Sequence, residues 1–293
     1  MDKQHFKPQA TADGSYTFYS LEFGESFHSQ FGAKQEAEQK FVEPLQLRQR
    51  VRQRAEDSPL FLLDICYGLG YNTAAALTAI WDVNPDCQVE LIALELDETV
   101  PKSAIAYQVL NDYPPEIVEL LTQFATTHYF KSDRLEAKLL IGDARHTLQQ
   151  VQSSGFQADA IFLDPFSPPV CPQLWTVEFL GLLANCLKPD GHLATYSCSA
   201  AVRSALLAVK LNIGSTPPVG RRTPGTIASF STVALPPLST SELEHLQTRA
   251  AVPYRDPNLN DTAEIMIKRR QQEQQSSNLE ATSQWKKRLT RNS

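Results

Sequence analysis

The sequence lacks long apolar runs, paired cysteines and an excess of positive charge. Its longest apolar stretches, such as Leu60 to Ile65, are far shorter than the ~20 residues of a membrane-spanning helix, and the N-terminus has no apolar secretory core. None of the 5 cysteines stands in a C-x-x-C pair, and the 6 histidines show no metal-ligand spacing, so we expect reduced thiols and no metal. A cytoplasmic protein without membrane segments is therefore expected.

The charge balance gives no strong general attraction for nucleic acid. The 293 residues hold 33 acids against 27 bases, a net charge of −6. Bases are enriched from Lys268 onward, where a polar, low-complexity run predicts a basic and disordered tail, 268–293. An RNA-binding surface would have to be local, and its candidates are this tail, Arg221 with Arg222, and the alternating arginines Arg48, Arg50, Arg52 and Arg54.

The alternating arginines have two interpretations. On an extended segment, all four side chains would share one face and could follow a row of phosphates. On a helix they would divide into i,i+4 pairs on two faces, and a solvated surface becomes the better interpretation.

From Leu60 onward, short apolar segments alternate with helical ones. A strand followed by a helix is predicted four times, at 60–65 and 73–81, 89–94 and 101–110, 138–141 and 144–151, and 160–163 and 174–187. Further strands are predicted at 192–197 and 225–231, and a further helix at 200–211. The pattern predicts an α/β fold whose parallel sheet has helices on both faces.

Four predicted strand ends carry an acid. Asp64 and Asp164 lie at the ends of the first and fourth strands, Glu95 closes the second, and Asp143 follows the third after Gly142. Ligands of doubly wound sheets bind outside the carboxyl ends of the strands, so four acids at that edge favour a ligand site. Glu95 is placed to accept hydrogen bonds from a ribose diol, and Asp143 could accept one from an adenine amino group.

A glycine-containing loop follows the first strand. Gly68 and Gly70 lack a Cβ, so the backbone can turn sharply and approach a ligand closely. The dinucleotide fingerprint G-x-G-x-x-G needs a third glycine where this sequence has Thr73, which makes a bound pyrophosphate less supported. Tyr67 and Asn72 flank the glycines and are candidates to contact a ligand, although core packing explains Tyr67 equally well.

These residues carry a resemblance to a known family. The order D-x-x-x-G-x-G (64–70), L-E-L-D (94–97), I-G-D-A (141–144) and L-K-P-D-G (187–191) resembles the motif series of class I S-adenosylmethionine-dependent methyltransferases. L-D-P-F-S-P (163–168), followed by Pro172 and Trp175, resembles more narrowly the methyltransferase half of the bifunctional tRNA 5-methylaminomethyl-2-thiouridine biosynthesis protein.

The resemblance implies a fold, a cofactor and a set of binding residues. The fold would be Rossmann-like, with a mostly parallel seven-stranded sheet. Its parts would be an N-terminal extension or lid (1–57), the methyltransferase domain (58–235), a C-terminal extension (236–267) and the tail (268–293). S-adenosyl-L-methionine would be bound by Asp64, Tyr67, Gly68, Gly70, Asn72, Glu95, Gly142, Asp143, Ala144 and Asp164.

The resemblance also implies a reaction on tRNA. It implies methylation of the exocyclic amine of 5-aminomethyl-(2-thio)uridine at the wobble position, with the anticodon stem-loop as partner. Asp164 would be catalytic, orienting the amine and accepting its proton, while Phe166, Trp175, Arg221 and Arg222 would bind the substrate. Core packing is an alternative role for Phe166 and Trp175. The bifunctional protein has a second, flavin-dependent oxidase half, and we expect no FAD in this chain.

Two other functions are compatible with the same fold. An aminopropyltransferase of the spermidine synthase type shares the fold and an acidic amine site, but its glycine loop carries further glycines and an internal aspartate that 67–70 lacks. A non-catalytic RNA-binding module is the second alternative. Acids at all four strand ends argue against it.

Overall fold

The computed structural model describes residues 6–55, 58–219, 223–233 and 235–291. The chain begins with two small antiparallel hairpins, β1 with β2 and β3 with β4. A helix then continues directly into a π-helical segment, Ala37–Val42, and a second helix follows. The bounds of these elements are β1 (Gln9–Ala10), β2 (Tyr16–Thr17), β3 (Tyr19–Ser20), β4 (Glu25–Ser26), α1 (Ala33–Glu36) and α2 (Leu47–Gln53).

The middle of the chain alternates strands and helices as the sequence predicts. Its elements are β5 (Leu60–Ile65), α3 (Tyr71–Val83), β6 (Val89–Glu95), α4 (Thr99–Ala106), α5 (Pro115–Thr127), β7 (Tyr129–Lys131), β8 (Leu135–Ile141), α6 (Ala144–Ser153), β9 (Ala158–Leu163), a 3₁₀ turn (Pro172–Trp175), α7 (Val177–Asn185), β10 (Leu187–Thr195), α8 (Ala200–Ala208), β11 (Asn212–Thr216) and β12 (Gly225–Ser229).

Eight of these strands form one sheet in the order β11-β12-β10-β9-β5-β6-β8-β7. The five central strands are parallel, and β12, β11 and β7 pair antiparallel at the two edges. The mostly parallel α/β fold is therefore confirmed, with eight strands in place of the expected seven. Two of the eight, β7 and β11, were not predicted. β7 has three residues, too few to show the alternation by which strands are recognised.

The register of the sheet places three of the four strand-end acids side by side. Asp64 of β5 is level with Ala93 of β6 on one side and with Phe162 of β9 on the other. Glu95 and Asp164 follow these neighbours by two residues. The acids of β5, β6 and β9 therefore meet at one edge of the sheet, at the carboxyl ends of the strands.

The sheet is buried on both faces, which explains its near-continuous apolar strands. Leu60 and Leu62 of β5 pack into a cluster with α3, α5 and the N-terminal helices, whereas Leu63 and Ile65 pack on the opposite face with α6, α7 and α8. Successive side chains of a strand point to opposite faces of the sheet, so the residues of β5 divide between the two clusters.

The C-terminal part differs from the expected disordered tail. Residues after 236 form α9 (Thr240–His245), a 3₁₀ turn (Arg249–Ala251), α10 (Ala263–Ser276) and α11 (Thr282–Arg291). Trp285 is buried, stacks on His245 at 4.6 Å between ring centroids and donates its indole N–H to Glu244. This buried aromatic side chain, together with the Arg288 ion pairs to Glu244 and Glu280, docks a segment whose composition is otherwise polar. The division into 1–57, 58–235, 236–267 and 268–293 stays a prediction.

The alternating arginines lie on and just after α2, so the helical interpretation applies. Arg48 pairs with Glu38, Arg50 donates to the carbonyl oxygen of Asp190, and Arg54 pairs with Asp159 at 3.0 Å. These three side chains are engaged within the fold. In the described part of the chain, no helix is both long and apolar enough to cross a membrane.

Candidate active site

A cavity of about 590 Å³ lies over the carboxyl ends of β5, β6 and β9. Its floor includes Cys66, Gly68, Glu95 and Asp164, which lie at or just after these strand ends. Its opposite wall comes from the N-terminal segment, mainly residues 19–31 with Glu36, Lys40 and Phe41. The volume lies within the roughly 300–1,000 Å³ that is usual for small-molecule sites.

Glu95 is fixed on the cavity floor by two backbone donors. Its Oε2 accepts from the N–H of Gly68 at 2.8 Å, and its Oε1 accepts from the N–H of Asp97 at 3.0 Å. Burial raises the pKa of Glu95, and these backbone hydrogen bonds oppose that rise. The carboxylate is therefore oriented before any ligand arrives, with lone pairs left to accept from a diol.

Gly68 turns the chain beside that carboxylate. Its φ of +57° lies in the left-handed region, and its nearest outside side chain, Phe27, is 3.5 Å from where a Cβ would lie. Cys66, two residues before Gly68, also has a positive φ, +67°. The loop after β5 is therefore sharply bent, as the two glycines predict, and it exposes backbone at the cavity floor.

Asp64 lies beneath the cavity rather than in its wall. The side chain is fully buried, and Oδ2 accepts a hydrogen bond from the Thr73 hydroxyl at 2.7 Å. Burial raises the pKa of Asp64 to about 7, and the charge of Glu95 adds to this while Thr73 opposes it. Its Oδ1 is one of the buried polar atoms without a partner among the described residues.

Thr73 has a role that sequence reasoning missed. It occupies the position of the absent third glycine and ties the first turn of α3 to Asp64. The signal available in the sequence was the hydroxyl of Thr73, nine residues after the strand-end acid Asp64. Where the fingerprint has a glycine that allows close backbone packing, Thr73 thus forms a buried hydrogen bond.

Asp164 and Asn72 are brought together. The Asn72 amide donates to Oδ2 of Asp164 at 2.9 Å, and the carboxylate borders the cavity. Burial raises the pKa of Asp164 well above its ordinary value, the Asn72 hydrogen bond opposes this, and the nearby charges of Glu36 and Asp64 add to it. Asn72 itself does not line the cavity.

Phe166 lies in the cavity wall within an aromatic group. It stacks on Phe23 at 4.5 Å between centroids and meets Phe27 edge to face at 5.1 Å. Trp175 is fully buried outside the cavity, and its indole N–H donates to the Phe166 carbonyl at 2.9 Å. Core packing therefore describes Trp175, which supports the loop that carries Phe166.

Tyr67 and Gly70 shape the glycine loop from behind. Tyr67 is buried and meets Phe124 edge to face at 5.6 Å. Gly70 has a φ of +86°, and a Cβ there would lie 2.6 Å from the Tyr67 hydroxyl oxygen. Neither residue lines the cavity, so packing is the role that the structure gives to Tyr67.

The Gly142, Asp143 and Ala144 turn does not line the cavity. Asp143 caps α6 by accepting from the backbone N–H of Arg145 at 2.9 Å, and it pairs with the Arg145 guanidinium at 2.7 Å. Burial raises the pKa of Asp143, but the hydrogen bonds and charge of Arg145 outweigh it, so the net shift is downward. Arg145 also pairs with buried Asp256 at 2.9 Å, which joins this turn to the C-terminal extension.

Two predicted substrate residues, Arg221 and Arg222, lie outside the described residues. In contrast, the N-terminal wall was not predicted to contribute site residues. Glu25 reaches across the cavity to the backbone N–H of Ser167 at 3.0 Å, and its other oxygen accepts from the Ser167 hydroxyl. Irregular segments of this kind show no periodicity in the sequence that would place them over a strand edge.

Comparison with known proteins identifies the fold family. The crystal structure of MnmC2 from Aquifex aeolicus superposes with a TM-score of 0.79 at 35% sequence identity, covering 92% of this chain and 85% of that one. The chain belongs to the MnmC2 family of methyltransferases. A family model described as S-adenosyl-L-methionine-dependent methyltransferase also matches residues 102–231.

Two further relatives of this MnmC2 family member differ in length. An uncharacterized protein of Methanocaldococcus jannaschii is 28% identical over 89% of the chain and 70% of that protein. The tRNA 5-methylaminomethyl-2-thiouridine biosynthesis bifunctional protein MnmC of Pseudomonas savastanoi is 28% identical over 69% of the chain. The chain spans about a third of that protein, 32% of its length.

These comparisons confirm the resemblance found in the sequence and the methyltransferase class. The chain is an S-adenosyl-L-methionine-dependent methyltransferase, and an aminopropyltransferase is not favoured. Among the described residues, no group of three or more His, Cys, Asp or Glu side chains is arranged to hold a metal ion.

Proposed function

We propose that the chain methylates the exocyclic amine of 5-aminomethyl-(2-thio)uridine at the wobble position of tRNA, giving 5-methylaminomethyl-(2-thio)uridine. The observation that carries the proposal is the similarity to MnmC2 over 92% of the chain. In this chain, residues 164–167 of the L-D-P-F-S-P loop border the cavity. The curated MnmC relatives are named for biosynthesis of that nucleoside.

The cavity floor fits S-adenosyl-L-methionine. The Glu95 carboxylate is fixed by two backbone donors and suits a ribose diol, and the bent loop at Gly68 lets a ligand approach the backbone. When bound, this group supplies an electrophilic methyl on a sulfonium. We assign cofactor binding chiefly to Glu95 and Gly68, with Asp64, Tyr67, Gly70 and Asn72 supporting them from behind, and we keep Gly142, Asp143 and Ala144 as candidates for the adenine end.

Asp164 is proposed to receive the substrate amine. An alkylammonium has no lone pair, so it must lose a proton before it attacks, and its ordinary pKa is roughly 10. Asp164 is held by Asn72 and borders the cavity, so it can accept a hydrogen bond from the amine and orient the lone pair. Orientation is the larger contribution, because alignment supplies about 7–11 kcal/mol whereas proton transfer help is typically about 10²–10⁴-fold.

The anticodon stem-loop is proposed to meet the cavity mouth. Tyr19 and Phe31 line the cavity and are 39% and 53% exposed, so their rings can stack on an unpaired base. The wobble uridine lies in a loop, and a flipped base could enter the cavity past these residues to reach Asp164.

The test is methyl transfer to tRNA that lacks the terminal methyl. Purified protein, labelled S-adenosyl-L-methionine and bulk tRNA carrying 5-aminomethyl-2-thiouridine are expected to give labelled 5-methylaminomethyl-2-thiouridine on nucleoside analysis. Bulk tRNA with an unmodified wobble uridine is the control and should stay unlabelled. Label in another nucleoside, or in both tRNA samples equally, would overturn the proposed substrate.

A further inference from the structure

Lys40 is a buried lysine in the wall of the active-site cavity. Its side chain is 1% exposed, and it borders the same cavity as Asp164. Lysine is almost never buried to this degree unless its charge is compensated. Glu36, one turn earlier on the N-terminal helix, borders the cavity as well.

The backbone at Lys40 is unusual. Residues Ala37–Val42 form a π-helical segment between α1 and α2, and such segments often occur at functional sites. The segment packs on α3 and on β10, with Phe41 edge to face against Phe162 of β9. The fold therefore fixes where the Lys40 side chain enters the cavity wall.

Lys40 and Asp164 interact electrostatically. Burial raises the pKa of Asp164, and Glu36 and Asp64 raise it further, whereas the charge of Lys40 lowers it. Both side chains border the same cavity, and a nearby ammonium favours the ionised carboxylate, which is the stronger acceptor of a hydrogen bond from an amine.

We propose that Lys40 is a positioning residue for the substrate amine: its buried positive charge favours the ionised form of Asp164 and disfavours the protonated form of the amine. The inference rests on the proposed function. A second ammonium near the substrate would repel a protonated amine, and in a low-dielectric site this repulsion favours the neutral nucleophile.

The charge of Lys40 favours the step that makes the amine nucleophilic. The nitrogen lone pair forms the new N–C bond as the C–S bond of the sulfonium breaks, leaving a neutral thioether. The ammonium proton is lost to water before the attack, and one more proton leaves the nitrogen after transfer. A nearby positive charge makes the first loss easier, because it lowers the pKa of the amine.

Other titratable groups face the same cavity. Desolvation lowers the pKa of His28 to about 4, so this side chain is neutral near pH 7. Burial raises the pKa of Cys66 well above its ordinary value, so it is also neutral. The remaining groups around the cavity are Tyr19, Glu22, Glu25, Glu36, Glu95, Asp97, Cys171 and Tyr196, with Asp64 beneath its floor. Most of them are acidic, which makes the positive charge of Lys40 more important for the local balance.

The test compares the pH dependence of kcat/KM in parent, Lys40→Met and Lys40→Arg proteins. Without the positive charge, both the amine and Asp164 hold their protons more strongly, so the acidic limb of Lys40→Met should move upward by about one pH unit. Activity below the limb would fall about tenfold. Lys40→Arg should keep the parent profile, because it keeps the charge.

A binding measurement accompanies the profile. Calorimetry with S-adenosyl-L-methionine should show that Lys40→Met binds it at least as tightly as the parent, because a like charge has been removed. Lys34→Met is the matched control, since Lys34 is exposed on α1 and donates to the Asp112 carbonyl away from the cavity. Its profile and binding should match those of the parent.

The outcomes separate this inference from the proposed function. An unchanged acidic limb in Lys40→Met, with an active parent, would overturn the role of Lys40 and leave the reaction intact. No methyl transfer to tRNA by the parent would overturn the proposed function itself. If Lys40→Met does not fold, Lys40→Gln replaces it; failure of both neutral variants beside a folded Lys40→Arg would assign the charge to stability and overturn the inference.

Discussion

At the scale of single residues, Asp164 is the side chain proposed to orient the substrate amine. Because Asn72 and the strand end hold it, Asp164→Asn should preserve the fold while removing the charge that orients the substrate. We expect kcat to fall by at least about 10²-fold, the smallest loss typical of proton-transfer help alone, with S-adenosyl-L-methionine affinity within threefold of the parent.

Asp133→Asn is the matched control for that variant, because Asp133 is exposed in the turn between β7 and β8. Steady-state rates and calorimetry measure the two quantities separately. Near-parental turnover by Asp164→Asn would remove Asp164 from the reaction.

Asp64 gives a prediction about stability. Its pKa is raised to about 7 in the folded chain from an ordinary 3.8, so the folded state holds a proton that the unfolded state has released. The free energy of unfolding therefore decreases as pH rises between these two values, because of this one group. Asp64→Asn, which stays neutral and can still accept from Thr73, avoids that loss.

Urea unfolding at pH 5 and pH 8 measures the effect. The stability of Asp64→Asn relative to the parent should increase from the lower to the higher pH. A difference that is the same at both values would show that Asp64 is ionised throughout this range in the folded state.

Some of these residue roles could be predicted from the sequence and others could not. Glu95 and Asp164 follow from the rule that ligands bind beyond parallel strand ends, and the structure places both at one cavity. The ion pair of Asp143 with Arg145 could not be predicted in the same way. The Arg145 guanidinium also donates a hydrogen bond to Asp256, which is 111 residues away in the sequence.

At the scale of elements, the C-terminal helix α11 shows how one side chain can order a polar segment. Trp285 is the buried residue of that helix, stacked on His245 and bonded to Glu244. Trp285→Ala should cost about 3–5 kcal/mol of local docking energy, as expected for a buried aromatic.

Hydrogen exchange is the measurement that checks this. Amides of 282–291 should lose protection in Trp285→Ala, while those of the central sheet keep it. Lys287→Ala, at an exposed position of the same helix, should change neither. Retained protection of α11 in Trp285→Ala would show that other contacts dock the helix.

Element bounds were predictable where periodicity is strong. β5 has the predicted bounds, and β6 and α6 end within two residues of theirs. β7 and the small N-terminal hairpins were not found, because each has only two or three residues. Each of these strands pairs with a neighbouring strand along the chain, but segments this short show no alternation that would predict a strand.

At the scale of the whole molecule, the active-site cavity lies between two parts of the chain that are far apart in the sequence. The sheet edge supplies Glu95 and Asp164, and the N-terminal segment supplies Glu25 and Lys40. The hydrogen bonds from Ser167 to Glu25 span 142 residues. Contacts between residues this far apart in the sequence close the cavity. They cannot be deduced from composition or periodicity.

The most direct test of the account is a crystal structure with S-adenosyl-L-methionine bound. We expect the ribose hydroxyls to lie against the Glu95 carboxylate and the sulfonium methyl to point toward Asp164 across the cavity. A ligand bound elsewhere, or one bound with its methyl away from Asp164, would contradict it.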